Sequence, residues 1–161
     1  MSYRYDNRSE DQFKKDIKSR TQEERALFML WLDLIERTSG KRLQYTDTGC
    51  GQTGELLTDK EVSMDADFHV EEYGKVEVKF SKPLLDKFFH LKASQVKSYV
   101  RNGATILMIN GSHEAVPQYT MLKSAALQDI MDTCKIIPWS GFGHKPSYKI
   151  PVSKFVWRSL K

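Results

Sequence analysis

Apolar and polar residues alternate over 67–70 and again over 75–80, which predicts two β-strands. Because strand side chains point alternately to opposite faces, each strand has one apolar face and one polar face. The intervening Glu72-Tyr73-Gly74 suits a three-residue hairpin loop, in which the glycine takes the left-handed conformation. The pattern therefore predicts a β-hairpin with a polar and an apolar side.

The polar side of this hairpin carries two carboxylates and a lysine. The three-residue loop pairs Asp67 with Lys79, and it pairs His69 with Glu77. Asp67, Glu77 and Lys79 then lie on one face. Carboxylate oxygens are ligands that Mg²⁺ prefers, and a bound metal acidifies water and neutralises charge on a phosphodiester. The alternative is a solvent-exposed hairpin on which Asp67 and Lys79 form a cross-strand ion pair.

Residues 22–37 have the pattern of a largely buried helix, because apolar side chains cover most of its circumference. Thr21 suits the N-cap position, and Glu24 three residues later completes a capping box. Glu24 also lies on one helical line with Phe28 and Trp31, which directs it towards the core side. Glu24 is thus either a capping carboxylate or an acid that belongs to a functional site.

Further segments complete an α/β pattern. A strand is predicted near 42–46, and a proline opens a predicted helix over 84–101. The apolar run 104–110 predicts a buried strand. A strand over 119–122 and a helix over 124–132 follow it.

Length and charge limit the range of partners. The 161 residues suffice for one domain, which we predict over 21–161 behind a weakly packed N-terminal arm over 1–20. The net charge of +4 is compatible with a nucleic-acid partner. Residues 133–161 contain six Lys or Arg and no acid, interspersed with aromatic residues, as nucleic-acid surfaces often are. Lys145 and Lys149 are the candidate phosphate contacts; the alternative is a segment that only closes the core.

Other classes of protein find little support in the chain. Residues 49–54 satisfy GxGxxG but lack the preceding apolar strand and the long following helix of a dinucleotide site. Cys50 and Cys134 form no CxxC pair, so neither a zinc site nor a disulfide framework is indicated. No apolar run of spanning length is present, which predicts no membrane partner and a cytoplasmic location, in the host cell if the source is viral.

The hairpin resembles a known nuclease signature. Asp67, followed ten positions later by Glu77-Val78-Lys79, resembles the D…(D/E)xK motif of the PD-(D/E)XK nuclease superfamily, with Ala66 in place of the usual proline. The resemblance implies a metal-dependent deoxyribonuclease that uses Mg²⁺, with Mn²⁺ as a substitute. It also implies that Asp67, Glu77 and the Val78 carbonyl hold the metal, and that Lys79 positions the attacking water.

The segments on both sides of the hairpin extend this resemblance. The superfamily has an upstream helix with a glutamate, for which Glu24 is the candidate and Glu23 the fallback. Its RecB-like branch has a QxxxY pattern, which Gln95 and Tyr99 match, and Lys92 shares their predicted helix face. The resemblance implies a restriction-endonuclease-like core, a central mixed β-sheet flanked by helices in the order αβββαβ. Gln95, Tyr99 and Lys92 are the candidate DNA contacts on this helix face, with Gln95 and Tyr99 binding the strand beside the scissile bond; the alternative for the lysines is ordinary solvent-exposed surface.

Alternatives to this interpretation stay open. A non-catalytic DNA-binding protein with a nuclease-like fold is the strongest, since it uses the same elements without the reaction. Within the nuclease interpretation, a small phage or bacterial enzyme that reads DNA shape or ends is expected, and a Holliday-junction resolvase is one case. A homodimer, formed through the N-terminal arm or the aromatic C-terminal segment, suits a two-fold junction; a monomer suits end processing.

Overall fold

The computed structural model describes residues 10–48 and 67–161, so the glycine motif over 49–54 and Ala66 lie outside the described residues. Over the described ranges the chain is an α/β protein with three helices and a mixed central sheet, which confirms the α/β part of the predicted fold class. Contacts along the chain define two compact units, Met1–Val78 and Lys79–Lys161, called the first and the second unit below. The boundary between an arm over 1–20 and a domain over 21–161 stays a prediction.

The first unit is a long helix and an antiparallel meander. Its elements are α1 (Glu10–Ser39), β1 (Tyr45–Asp47), β2 (Phe68–Val70) and the first part of β3 (Gly74–Ser81). Tyr45 lies opposite Val70 in the β1–β2 pair, and Phe68 lies opposite Val76 in the β2–β3 pair. β2 therefore lies in the middle of the meander.

Aromatic side chains attach α1 to the meander. The Phe28 ring stacks on the Phe68 ring with 3.8 Å between the ring centroids, and the edge of Trp31 meets Tyr73 at 5.1 Å. Phe28, Trp31 and Phe68 are all buried, so these contacts form the core of the first unit. One face of β2 is thereby turned towards the helix.

The helix is longer than predicted, and this changes the interpretation of Glu24. α1 runs through 30 residues without a break, so Thr21 lies inside the helix and not at its N-cap. The capping-box interpretation of Glu24 is therefore wrong. Residues 10–20 form the start of α1, because their Lys, Glu and Gln residues are good helix formers and extension of an existing helix adds one hydrogen bond per residue.

The hairpin forms as predicted, but its register differs by two residues. His69 lies opposite Lys75, and not opposite Glu77 as predicted. The three residues of the loop are Glu71, Glu72 and Tyr73, and Glu72 takes the left-handed conformation with φ of 71°. Because side chains alternate with a period of two, a shift by two residues keeps every side chain on its predicted face.

The second unit contains the remaining strands and two helices. Its elements are β4 (Phe88–Lys92), α2 (Ala93–Asn102), β5 (Thr105–Asn110), β6 (Gln118–Leu122), α3 (Ser124–Thr133), β7 (Lys135–Trp139), β8 (Lys145–Pro151) and β9 (Arg158–Ser159). β5, β6 and β9 are neighbours in one sheet, and β4, β8 and β7 form a second, antiparallel sheet in that order. The predictions of a buried strand over 104–110, a strand over 119–122 and a helix over 124–132 are confirmed within two residues at each end.

The predicted helix over 84–101 is wrong in its first half. β4 occupies Phe88–Lys92, and α2 begins only at Ala93. Phe89 and Leu91 are buried while their neighbours are exposed or half-buried, which is the period of a strand and not of a helix. Upstream, the buried Asn110 side chain accepts from the Leu85 N–H and donates to the Leu85 carbonyl, both at 2.8 Å, and so binds backbone groups that a helix would use itself.

Part of the basic C-terminal segment forms a β-hairpin. β7 and β8 pair through Trp139 and Lys145, and a short 3₁₀ turn (Ser140–Phe142) connects them. Lys149 lies within β8. None of the helices in the described part of the chain is long and apolar enough to cross a membrane.

Candidate functional site

Two carboxylates bind backbone groups of each other's strand at the open end of the β2–β3 hairpin. The Val78 N–H donates to Oδ2 of Asp67 at 2.9 Å, and the Asp67 N–H donates to Oε2 of Glu77 at 3.1 Å. We call this reciprocal pair of hydrogen bonds the carboxylate clasp. Hydrogen bonds from an N–H to an ionised carboxylate are stronger than neutral ones. The clasp therefore fixes one oxygen of each carboxylate.

The apolar face of the hairpin determines where these carboxylates point. Phe68, Val70, Val76 and Val78 are all buried. Since neighbouring residues of a strand face opposite ways, Asp67 and Glu77 are directed to the other face, where both are half-buried. The two carboxylates are thus partly shielded from water and remain accessible.

The observed register brings the carboxylates closer together than the predicted one. Continuing the pairing of Phe68 with Val76 by one residue sets Asp67 opposite Glu77. The predicted pairing of Asp67 with Lys79 is wrong. The two residues are not directly opposite each other, as the predicted cross-strand ion pair required. Two like charges on opposing positions repel, and a cation between them removes that repulsion.

The residues of the clasp form a donor set that fits a hard divalent cation. A strand residue directs its N–H and its carbonyl towards the same neighbouring strand. Because the Val78 N–H points to Asp67, the Val78 carbonyl oxygen lies on that side as well. Two carboxylates and one carbonyl suit Mg²⁺, which takes few protein ligands and keeps positions for water and phosphate. Over 10–48 and 67–161 no group of three or more His, Cys, Asp or Glu residues gathers around one point, so the fit rests on this smaller set.

Lys79 lies next to the QxxxY tyrosine of α2. It follows Glu77 by two residues on β3, which places both side chains on one face of that strand. Its Nζ lies 6.0 Å from the centroid of the Tyr99 ring. Tyr99 is only 7% exposed, so its ring is part of the core of the second unit. The structure therefore brings together two of the motif residues that are 20 positions apart in the sequence.

Gln95 and Lys92, which were predicted on one helix face, belong to different elements. Gln95 is half-buried on α2. Lys92 is the last residue of β4 and precedes the helix, so the prediction that it shares a helix face with Gln95 and Tyr99 is wrong. Lys92 instead belongs to the sheet formed by β4, β8 and β7.

Glu24 and Glu23 are both half-buried on α1. The Arg20 Nε donates to Oε1 of Glu24 at 3.2 Å, one helical turn away, and 18% of the Glu24 side chain is exposed. Glu24 precedes Phe28 by four residues, which puts it on the side of α1 that packs on β2. This side is the one predicted for it, and its role in a site stays a prediction.

The remaining predicted phosphate contacts are on β8. Lys145 is the first residue of β8 and is exposed. Lys149 is half-buried, and its Nζ lies 4.3 Å from the centroid of the Phe88 ring. Both lysines lie on the same face of β8, since they are four residues apart.

His90 was not among the candidate residues that the sequence indicated. The His90 ring stacks on Trp139 with 3.7 Å between ring centroids and 5° between ring planes. Burial lowers the pKa of His90, and the positive charge of Lys149 lowers this pKa further. The signal that could have found it is the alternation in FFHLK, which directs His90 and Lys92 to one side. Its partner, Trp139, is remote in sequence, so the stacking itself depends on the tertiary structure.

Comparison of the chain with known protein families, with curated proteins and with solved structures finds no match.

Proposed function

We propose that this protein is a Mg²⁺-dependent DNA nuclease that hydrolyses phosphodiester bonds at the carboxylate clasp. The observation that carries the proposal is the clasp itself: Asp67 directly before β2 and Glu77 on β3 each accept a backbone N–H from the opposing segment of the hairpin, and Val78 and Lys79 follow Glu77 in the D…ExK order. In a hairpin without a bound cation, two carboxylates at opposing positions repel each other and destabilise the strand pair. A cation ligated by both makes the arrangement favourable.

The order of elements supports a restriction-endonuclease-like core. α1, β1, β2 and β3 are followed by α2 and β5, which is αβββαβ with β4 inserted before the second helix. Asp67 directly precedes the first strand of the hairpin, the ExK segment is on its second strand, and the QxxxY segment is on α2, an order that supports the superfamily resemblance. We propose this core as the finer description of the α/β fold.

Each residue has a physical role in the proposed reaction. The Asp67 and Glu77 carboxylates supply negative oxygen ligands, and the backbone N–H groups of Val78 and Asp67 keep them oriented. Mg²⁺, when bound, supplies a Lewis acid and lowers the pKa of a coordinated water. The Lys79 ammonium lies on the Glu77 face of β3, where its charge stabilises an anionic phosphate and orients a water. Glu24 is the proposed additional acid, and Gln95, Lys92, Lys145 and Lys149 are the proposed DNA contacts.

The test compares two glutamates of one hairpin. Glu77→Gln removes the charge but keeps the shape, whereas Glu72→Gln changes an exposed loop residue that pairs with Lys41. Cleavage of linear, nicked, single-stranded and four-way-junction DNA is measured with Mg²⁺, Mn²⁺, Ca²⁺ and chelator. We expect the parent and Glu72→Gln to cleave at least one substrate with Mg²⁺ or Mn²⁺, and Glu77→Gln to cleave none. Mn²⁺ binding by titration calorimetry should weaken in the same variant.

Two results would count against the proposal in different ways. Cleavage by the parent that persists in chelator contradicts the metal-dependent reaction. DNA binding without cleavage by the parent under every condition favours the second candidate, a non-catalytic DNA-binding protein. A specific observation supports that candidate: β4, β7 and β8 carry four lysines and no acidic residue.

A further inference from the structure

One face of the β4–β8–β7 sheet combines lysines with aromatic rings. The register sets Lys149 between His90 and Lys135, and it sets Lys145 opposite Trp139. Residues directly opposite each other share a face, and so do alternate residues of one strand. This face, called the outer face below, therefore carries Phe88, His90, Lys92, Lys135, Ile137, Trp139, Lys145, Ser147, Lys149 and Pro151. The opposite face carries the buried Phe89, Leu91, Tyr148 and Ile150.

The charge on the outer face has a single sign. The three strands contain four lysines, all on this face, and neither Asp nor Glu. Lys135 lies directly opposite Lys149, and like charges at opposing positions destabilise a sheet. A polyanion that lies across the strands removes this repulsion, so the face is complementary to a chain of phosphates.

Aromatic rings accompany the lysines along the same face. The Lys149 Nζ lies 4.3 Å from the Phe88 ring centroid, and the Lys92 Nζ lies 5.3 Å from that of Phe142 in the connecting turn. Between these ends the His90 ring is stacked on Trp139. Phe88 is 39% exposed. The rings are thus spread over the length of β4, which is about 13 Å.

A further feature provides a place for a ligand. A cavity of about 540 Å³ opens at the Phe88 end of the face. Its lining combines apolar groups with lysines and hydroxyl groups and consists of Phe88, Thr133, Cys134, Lys135, Lys149, Pro151, Ser153 and Lys154. Lys154 pairs with Asp129 at 2.7 Å, which leaves Lys135 and Lys149 as the lysines of the lining that belong to the outer face.

We propose that the outer face binds single-stranded DNA, with bases stacking on Phe88 and on the His90–Trp139 pair and with phosphates on the four lysines. Unstacked bases expose faces that aromatic side chains bind, whereas bases inside a duplex are already stacked on each other. Rings on the face thus favour a single strand, while lysines alone would bind both forms. The inference rests on the proposed function for its choice of DNA, and it deepens that function by naming the form of DNA that is held.

The experiment measures binding separately from cleavage. Glu77→Gln protein is titrated against a labelled thymidine oligonucleotide of about 16 nucleotides, and against a duplex of equal length, by fluorescence anisotropy. We expect the single strand to bind about tenfold more tightly than the duplex. Phe88→Leu, which keeps apolar volume but removes the ring, should weaken single-strand binding about tenfold and leave duplex binding unchanged, because a base–aromatic stack contributes about 1–3 kcal/mol. Lys149→Ala should weaken both and lower the salt slope for the single strand by about 0.7.

Matched variants test whether these effects belong to the outer face. Ile136→Ala changes an exposed residue on the other side of β7, and Lys97→Ala removes an exposed lysine of α2; both should bind like the parent. Thermal unfolding verifies that Phe88→Leu is folded. Equal affinity for single strand and duplex, together with unchanged binding by folded Phe88→Leu, would overturn the inference. That result leaves the cleavage test of the Glu77 site unaffected, and absence of cleavage leaves this binding test unaffected.

Discussion

Removal of the Asp67 side chain should affect stability and activity in separable ways. In the carboxylate clasp, Oδ2 of Asp67 is the acceptor for the Val78 N–H at 2.9 Å, and Val78 has no exposed surface. Asp67→Ala leaves this buried N–H without its acceptor. Asp67→Asn keeps an oxygen at the same position but removes the negative charge. The two variants therefore separate the hydrogen bond from the charge.

The magnitude follows from the type of hydrogen bond. A hydrogen bond to a charged group contributes about 1.5–3 kcal/mol, and a buried donor left unpaired costs about 1–3 kcal/mol. We expect Asp67→Ala to lower the free energy of unfolding by about 2 kcal/mol. Asp67→Asn should cost about half as much, since neutral hydrogen bonds are roughly half as strong as charge-assisted ones. Loss of the repulsion between Asp67 and Glu77 reduces both costs.

Urea unfolding followed by circular dichroism measures the stability, and the DNA cleavage assay measures the activity. Glu72→Ala is the control, because Glu72 belongs to the same hairpin and its ion pair with Lys41 is exposed. We expect both Asp67 variants to be inactive with Mg²⁺ although their stabilities differ. Cleavage by Asp67→Asn at the parent rate would refute the role of the charge in metal binding. Equal stability of the parent and Asp67→Ala would refute the contribution of the clasp.

Three further predictions concern other parts of the chain. Glu24→Gln should lose cleavage activity while Glu23→Gln retains it. The unfolding free energy should change by less than about 0.5 kcal/mol in either variant, because the Arg20–Glu24 ion pair is at the surface. Cleavage by Glu24→Gln at the parent rate would show that Glu24 is not part of the site. The pKa of His90 is lowered in the folded state. The unfolding free energy that His90 contributes should therefore be fully present above its unfolded pKa of about 6.5 and should decrease as the pH falls below that value. His90→Gln should reduce this pH dependence in urea titrations at several pH values, and an unchanged profile would contradict the prediction. The protein should sediment as a homodimer at micromolar concentration, with and without junction DNA; a monomer in both conditions favours end processing over junction resolution.

The elements with a strong local period were predictable from the sequence. The 3.6-residue period over 22–37 and the apolar run over 104–110 correspond to α1 and β5. The segment 84–101 was not predictable as a whole, because FFHLK and the helix that follows form one long apolar pattern. Its first half is a strand because β4 pairs with β8, whose residues lie much later in the chain. A local pattern contains no information about such a partner.

The candidate site was predictable as a face but not as a set of contacts. Asp67 and Glu77 were expected on one side of the hairpin, where the structure places them. The opposition of the two carboxylates, and the stacking of His90 on Trp139, depend on cross-strand partners that the sequence leaves undetermined. The outer face is a still longer-range feature, since β4 lies more than 40 residues before β7 and β8.

The hairpin shows why a site prediction can survive an error in register. The loop lies one residue earlier in the sequence than predicted, which moves the cross-strand partner of each residue by two positions. An even shift exchanges Lys79 for Glu77 opposite Asp67 and keeps all three side chains on one face. A shift by one position would have turned Asp67 towards residues that pack in the core, where an unpaired carboxylate is strongly unfavourable. Burial of Phe68, Val70, Val76 and Val78 therefore restricts register errors to even shifts, and the polar face of the hairpin is better determined by the sequence than any one pair across it.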